Sequence, residues 1–363
     1  MKKEINFAFI VHSRDRSDLP RKFPWLRYLP NKLFDFLTLK LPPFVVSKIT
    51  GLTTSAGKGV TGIVVGIPMT AVQLLEQRTV AVRKIISAVK LAQSKGAIYV
   101  GLGAMTASLS RGGKDVIDNI SGVYVTTGRT YTVMNIVRYV EYCLRRFDLN
   151  IKTVCVGIVG AAGGIGSGVA IALAHIGIKH FVLIDIERKL THLEKYISII
   201  ERHSKDLTID VIHKVSSIAQ CQIVISATSS PEVVIKSEDV NSGTIIINDA
   251  QPSDISPEII HKRNDVLLIE GGVLKSNTIS CNFNFGLAGT NDIFSCLAET
   301  LWLSYWGIKK HHSVDEFSLD LYSQMKADSD KMGFYISELQ NSNGYIGENF
   351  LQEFAKIIKN QTQ

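Results

Sequence analysis

The sequence predicts an α/β protein in two parts: an N-terminal α/β domain, then a doubly wound parallel sheet. Three observations predict it. Between Lys152 and Lys179 lie 26 residues without Asp, Glu, Lys or Arg, and seven of them are glycine. Such a run could cross a bilayer, for which about 20 apolar residues suffice, but seven glycines make a poor spanning helix. It divides instead into an apolar strand over 153–159, a glycine turn over 160–166 and a helix from Ser167. Second, short apolar runs alternate with helical patterns on both sides of this segment. Third, six strand candidates in regular rhythm share one glycine turn.

In chain order, the first strand is expected over 5–11, ending at His12, with a polar turn over 13–18. Residues 23–37 interleave Trp25, Tyr28, Phe34 and Phe36 with Arg and Lys. That mixture suits a membrane surface, the wall of an apolar pocket, or an ordinary packed lobe. A strand over 61–67 ends at Pro68. A long helix is expected over 71–95, because Val72, Leu75, Val82, Ile85, Ile86, Val89 and Ala92 share one face. Gly96 would cap it. Strands follow over 98–102 and 122–126, and a helix over 133–147. The second half carries strands over 153–159, 180–184, 209–213, 222–227, 244–248 and 266–269. A helix is expected over 292–306, and polar helices after it. The expected domains are residues 1–148, 149–310 and a helical tail over 311–363.

Composition narrows the class. Hydrophobic residues make up 45% and charged residues 20%, the balance of a globular chain with a substantial core. A net charge of +7 without dense basic runs argues against a nucleic-acid partner and suits an acidic partner or an anionic surface. Cys143, Cys155, Cys221, Cys281 and Cys296 are odd in number and lack CxxC spacing, so neither a disulfide framework nor a metal site is expected. The N-terminus does not read as a signal peptide, because an arginine-rich segment follows its short apolar run. A cytoplasmic protein is expected, with peripheral membrane contact through the basic aromatic N-terminal lobe.

The strand, glycine turn and helix form a dinucleotide-binding fingerprint. Gly160 would allow the tight turn, Gly163 the approach of a pyrophosphate to the helix N-terminus, and Gly166 close packing of helix on strand. Gly164 and Ile165 lie in the same turn. Asp185, nineteen residues after Gly166 and at the end of the second strand, would hold ribose hydroxyls and favour NADH. Arg188 competes, since it would meet the 2′-phosphate of NADPH. Ala227 and Thr228 after the fourth strand, and Gly271 and Gly272 after the sixth, complete the expected cofactor set. The expected cofactor is NAD(P)H, with the lean to NADH.

Cys296 is the candidate for covalent chemistry. Thr290, Asn291 and Asp292 are good N-caps, which would put Cys296 in the first or second turn of a helix. That position favours a thiolate. The alternative is a cysteine that merely packs. Cys155 and Cys221 read as strand packing residues.

Several ordered segments then resemble the cyanobacterial long-chain acyl-(acyl-carrier-protein) reductases. They are Leu75-Glu-Gln-Arg78 with the helix after it, Leu102-Gly103, Thr126-Thr-Gly-Arg-Thr-Tyr-Thr132, the turn at 160–166, Gly271-Gly272-Val273 and Phe294-Ser-Cys-Leu-Ala-Glu299. The chain departs from that family at Asp185-Ile186, where its loop carries Arg, and at Tyr131, where it has His. The resemblance implies that Cys296 takes an acyl group from acyl carrier protein or acyl-CoA. The nicotinamide would then reduce the enzyme thioester to an aldehyde. Thr127, Thr130 and Tyr131 would steady the oxyanion, and His12 would carry a proton. A second reading keeps the fold and takes the order of domains as similar to shikimate dehydrogenases, oxidoreductases of small hydroxy acids. Those use a Lys-Asp pair; Lys114 and Asp115 are adjacent here, but the Asn-x-Thr-x-Pro-x-Lys signature is absent. A third is a non-catalytic nucleotide sensor.

Overall fold

The computed structural model describes residues 5–283, 285–314 and 316–361. The chain is α/β, as expected, and contains two six-stranded sheets. It divides into two compact units. The first comprises residues 1–131, 274–316 and 327–335; the second comprises 132–273, 317–326 and 336–363. The expected serial boundaries at 148 and 310 are therefore not where the units part. Segments distant in sequence return to the first unit, which no local pattern announces.

In the first unit, β1 (Ile5–Ser13), β2 (Phe44–Thr50), β3 (Thr61–Thr70), β4 (Tyr99–Leu102) and β5 (Tyr124–Thr126) form one sheet. A later strand, paired at Ser280 and Cys281, adds to β2, giving a spatial order in which β3, β1 and β4 are central. β1 runs parallel to β3 and β4, whereas β2 is antiparallel to β3. All ten residues of β3 are buried, which is why it reads as an unbroken apolar run. β3 continues through Pro68 to Thr70, where its pairing with β1 shifts register between His12 and Ser13.

The expected single helix over 71–95 is two helices, Ala71–Glu76 and Arg78–Ser94. Thr70 and Gln73 form a reciprocal capping box on the first. The chain breaks helical conformation at Gln77 (φ −114°, ψ 47°), so the shared face ends there. Val72 and Leu75, expected to face the core, are consequently exposed.

The second unit holds β6 (Cys155–Val159), β7 (His180–Ile184), β8 (Thr208–Ile212), β9 (Ile223–Ser226), β10 (Ile245–Asn248) and β11 (Leu267–Glu270). Their order is β11-β10-β9-β6-β7-β8, all parallel. This is the doubly wound Rossmann order, with the direction of winding reversing between β6 and β9. The helix Gly164–Ile176 follows β6 and ends at Gly177, whose φ of 111° only glycine adopts freely. The tail is helical at Leu319–Ser329 and Glu348–Gln361, with short strands between. No helix among the described residues is long and apolar enough to cross a membrane.

Candidate active site

In the second unit Gly160, Asp185, Ala227, Asp249 and Gly271 each directly follow the carboxyl end of a parallel strand. Gly160 leaves β6 with φ 86°, and a Cβ there would lie 2.7 Å from the Ala227 carbonyl oxygen. Gly163 is the N-cap of the helix Gly164–Ile176, so Gly164, Ile165 and Gly166 are its first turn rather than part of the turn before it. The Ser167 amide donates the first bond back to the Gly163 carbonyl. The amides of Gly164, Ile165 and Gly166 are thus the helix's outward donors, suited to an anion. At Gly166 a Cβ would fall 2.3 Å from the Gly160 carbonyl oxygen, so helix and turn touch through backbone.

Asp185 closes this turn. Its carboxylate accepts the Ala162 amide at 2.9 Å and the Ile186 amide at 2.8 Å, and Lys189 Nζ stands 3.8 Å away. The carboxylate is therefore rigid, buried and on the turn's own edge. Arg188 is exposed in a short 3₁₀ turn, Glu187–Lys189. Ala227 abuts the glycine turn, while the Thr228 hydroxyl donates to Asp254 at 2.7 Å. Gly271 and Gly272 follow β11, where a Cβ on Gly272 would lie 2.7 Å from Asp249 Oδ1.

The same edge carries acids not anticipated from the sequence. Asp254 accepts the Ser226 and Thr228 hydroxyls, which pull its pKa down, yet burial outweighs them and raises it. Asp249 is pushed up to about 8, first by burial and then by the Glu270 carboxylate. The sequence signal for Asp249 was its place directly after the apolar strand β10; Asp254, further along the same loop, had no such signal.

Asp249 gives a prediction. Unfolded, an Asp titrates near about 3.9. Its protonated form thus supports the fold fully below that pH, and the support is lost as pH rises through about 8. Urea unfolding across this range should show the wild type losing stability relative to Asp249→Asn. Parallel curves for the two proteins would refute the assignment.

The first unit positions Cys296. Asp292–Phe294 is a strand, so the helix begins at Ser295, with Phe294 as N-cap and no side-chain cap. The expected caps at 290–292 are corrected, because the strand Asp292–Phe294 takes Asp292 and separates Thr290 and Asn291 from the helix start. Cys296 remains in the first turn of Ser295–Trp306 and is half-buried. Gly128 lies directly on it. With φ 72°, Gly128 would place a Cβ 2.4 Å from both Cys296 Cα and Cβ.

Glu299, one turn further on, anchors the loop that carries Gly128. It is fully buried; Oε1 accepts the Thr126 hydroxyl at 2.5 Å, and Oε2 accepts the Tyr131 amide at 3.0 Å. Burial raises its pKa, opposed by hydrogen bonds from Ser313, Thr126 and Tyr131. An acid inside an otherwise apolar helix was the signal available for it.

Four expected roles are corrected by this geometry. Thr127 donates to the Ser313 carbonyl at 2.5 Å, and Thr130 shares a 2.7 Å bond with the Ser313 hydroxyl. The helix Arg129–Arg146 starts earlier than expected, and the Tyr131 side chain is fully buried, its hydroxyl 2.7 Å from that of Ser329. These hydroxyls hold the loop rather than await an oxyanion. His12 is buried, with Nδ1 bonded to the Ser13 carbonyl and Nε2 accepting the Met105 amide; burial lowers its pKa. Both ring nitrogens are thus engaged by neighbouring backbone, which leaves neither free for the expected proton transfer. Lys114 and Asp115 form no catalytic pair either. They are consecutive on a helix, so they do not face each other, and Asp115 is bonded to Arg111 at 2.6 Å.

Comparison with known proteins bears on the dinucleotide half. A family model for shikimate / quinate 5-dehydrogenase matches residues 141–270. The curated aminotransferase PigE of Serratia sp. (strain ATCC 39006) is 25% identical over 308 residues, covering 82% of this chain and 35% of that protein. The chain thus spans about a third of that relative. The long-chain acyl-(acyl-carrier-protein) reductase of Synechococcus elongatus is 24% identical over 281 residues, covering 73% of this chain and 79% of that one. Among solved structures, L-tryptophan dehydrogenase of Nostoc punctiforme has a TM-score of 0.39 at 9% identity, over 99% of this chain and 89% of that one. Shikimate 5-dehydrogenase of Listeria monocytogenes has a TM-score of 0.37 at 11% identity, over 90% and 98%. The expectation of the acyl-carrier-protein reductase family is corrected by these findings. The matching family model is that of shikimate / quinate dehydrogenases, and the reductase stands at 24%. The expected oxidoreductase fold and NAD(P)H cofactor agree with the family match.

Proposed function

We propose that this chain is an NAD(P)-dependent oxidoreductase of the shikimate/quinate-dehydrogenase kind, exchanging hydride with a hydroxyl or carbonyl group of a small hydroxy acid. The supporting observation is the glycine turn and Asp185 at the switch point, inside the segment that matches the dehydrogenase model. The turn would cradle a pyrophosphate at the amides of Gly164–Gly166, and Asp185 would face the adenosine ribose. The bound nicotinamide would supply or accept the hydride. Fluorescence titration with NADH, followed by NAD(P) reduction assays on shikimate, quinate and related hydroxy acids, tests the reading. Absence of nicotinamide cofactor binding would sink it. NADH binding without turnover on any substrate would favour a nucleotide sensor.

Cofactor choice follows from Asp185. Its fixed carboxylate should repel a 2′-phosphate at a cost of about 1–3 kcal/mol, roughly ten- to a hundredfold in affinity. NADH is expected to bind more tightly than NADPH, and Asp185→Ala to narrow the gap. Tighter NADPH binding that Arg188→Ala weakens and Asp185→Ala leaves alone would assign the ribose edge to Arg188.

One observation favours a second reading, the packing of Gly128 on Cys296 at a helix start. Cys296 would attack the acyl thioester of acyl carrier protein or coenzyme A, release the carrier thiol, and hold the acyl group for hydride transfer and aldehyde release. Incubation with an acyl thioester and no cofactor should then add the acyl mass to the protein, and Cys296→Ser should abolish that adduct. An unmodified wild-type protein would remove the covalent route while leaving the hydride chemistry in place.

A further inference from the structure

The segment Asp18–Leu41 in the first unit folds as two short turns and a helix, Asn31–Lys40. Its inward side chains, Leu19, Leu26 and Phe34, make a small core of their own, with Phe23, Leu29 and Phe44 against it. That core accounts for the buried apolar residues here and leaves the outward ones unexplained. Trp25 is 57% exposed, Tyr28 80% and Phe36 57%, and Leu33 and Leu41 are exposed as well. Scattered single apolar residues are ordinary on a surface, but a run of large aromatics on one short segment is not.

Charge identifies what such a surface fits. On the helix Asn31–Lys40, exposed Phe36 lies four residues from Lys32, three from Leu33 and four from Lys40, so cation and apolar group share a face. Lys40 Nζ stands 5.9 Å from the Phe36 ring centre. Arg27 is exposed between Trp25 and Tyr28. The nearby acids are occupied, Asp18 by Arg14 at 2.7 Å and Asp35 by Arg16 at 2.5 Å. Among the described residues, Arg27, Lys32 and Lys40 have no carboxylate partner. Trp and Tyr favour the headgroup level of a bilayer, and Lys and Arg beside them favour anionic lipid.

We propose that this face is a peripheral docking surface for an anionic lipid bilayer, with Trp25, Tyr28 and Phe36 entering the interface and Arg27, Lys32 and Lys40 meeting lipid phosphates. The proposal is independent of the reaction assigned above. A second copy of this chain is the competing occupant, and the test separates the two.

The full chain is sedimented with phosphatidylcholine vesicles and with vesicles containing about one-third phosphatidylglycerol, a composition chosen for its strong negative surface potential. The protein should pellet with the anionic vesicles and remain in solution with the neutral ones, and added salt should weaken the binding. Trp25→Ser/Phe36→Ser and, separately, Lys32→Glu/Lys40→Glu should each weaken partition by about tenfold or more. All four side chains are exposed, so circular dichroism is expected to be unchanged. Absence of wild-type binding to anionic vesicles, or binding indifferent to both double variants, would overturn the proposal. So would self-association that Trp25→Ser/Phe36→Ser abolishes in a protein that ignores vesicles, which would assign the face to protein contact.

Discussion

Gly166→Val is expected to weaken cofactor binding by up to about a hundredfold in NADH affinity. The Cβ of any side chain at 166 would sit 2.3 Å from the Gly160 carbonyl oxygen and 2.9 Å from Ala161 Cα. Both neighbours are backbone, so neither can turn aside. Gly160 cannot retreat, because its own α-carbon already packs against the Ala227 carbonyl, where a Cβ would lie at 2.7 Å. The helix Gly164–Ile176 must therefore move off β6, carrying the amides of its first turn out of register with a pyrophosphate. Overpacking of this kind costs about 1–3 kcal/mol, and a loss of about 2.7 kcal/mol is roughly a hundredfold. Isothermal titration with NADH is the measurement, with circular dichroism to establish folding. Gly163→Ala is the control. A Cβ there would meet the Gly160 carbonyl at 3.0 Å, which a small adjustment relieves, so its loss should be smaller. A folded Gly166→Val protein with wild-type NADH affinity would show that the turn does not hold the cofactor.

Glu299→Ala is expected to cost roughly 2–6 kcal/mol of stability, because it leaves two buried donors without an acceptor. The carboxylate is fully buried and satisfies the Thr126 hydroxyl and the Tyr131 amide on the two sides of Gly128. Alanine leaves both donors buried without an acceptor, each costing about 1–3 kcal/mol. It also frees the loop that seats Gly128 on Cys296. Glu299→Gln keeps the shape and one acceptor oxygen, so its loss should be about half as large. Urea denaturation of the three proteins decides the matter. Equal stability of wild type and Glu299→Ala would mean that the network carries no load, and that Ser313 alone holds the loop through Thr127 and Thr130.

The second unit was largely legible from sequence, and the first only in part. β6, β9, β10 and β11 are buried on both faces, so each appears as a continuous apolar run that local pattern detects. β8 is more exposed and was found within a residue at each end. The glycine turn was legible because a positive φ such as that of Gly160 calls for glycine at the residue itself, which the sequence displays. β2 escaped notice because its burial is mixed, so it shows neither a continuous apolar run nor a clean alternation. The helix from Ser295 was misread at its start because Thr290, Asn291 and Asp292 are excellent caps by local propensity. Strand pairing overrode that preference at Asp292–Phe294.

By itself, then, the sequence determined the fold class, the Rossmann half, the place of the turn and of Asp185, and the candidacy of Cys296. These rest on short-range regularities: strand burial, glycine freedom and helix period. Tertiary structure alone decided the rest. It assigned residues 274–316 and 327–335 to the first unit. It turned Thr127, Thr130 and Tyr131 from expected oxyanion donors into satisfied struts, the two threonines held by Ser313 and Tyr131 by Glu299 and Ser329. The reason is that a polar group's role is set by which partner the folded chain brings to it. Ser313 meets Thr127 from 186 residues away and Glu299 meets Tyr131 from 168, distances along the chain at which no local pattern carries information.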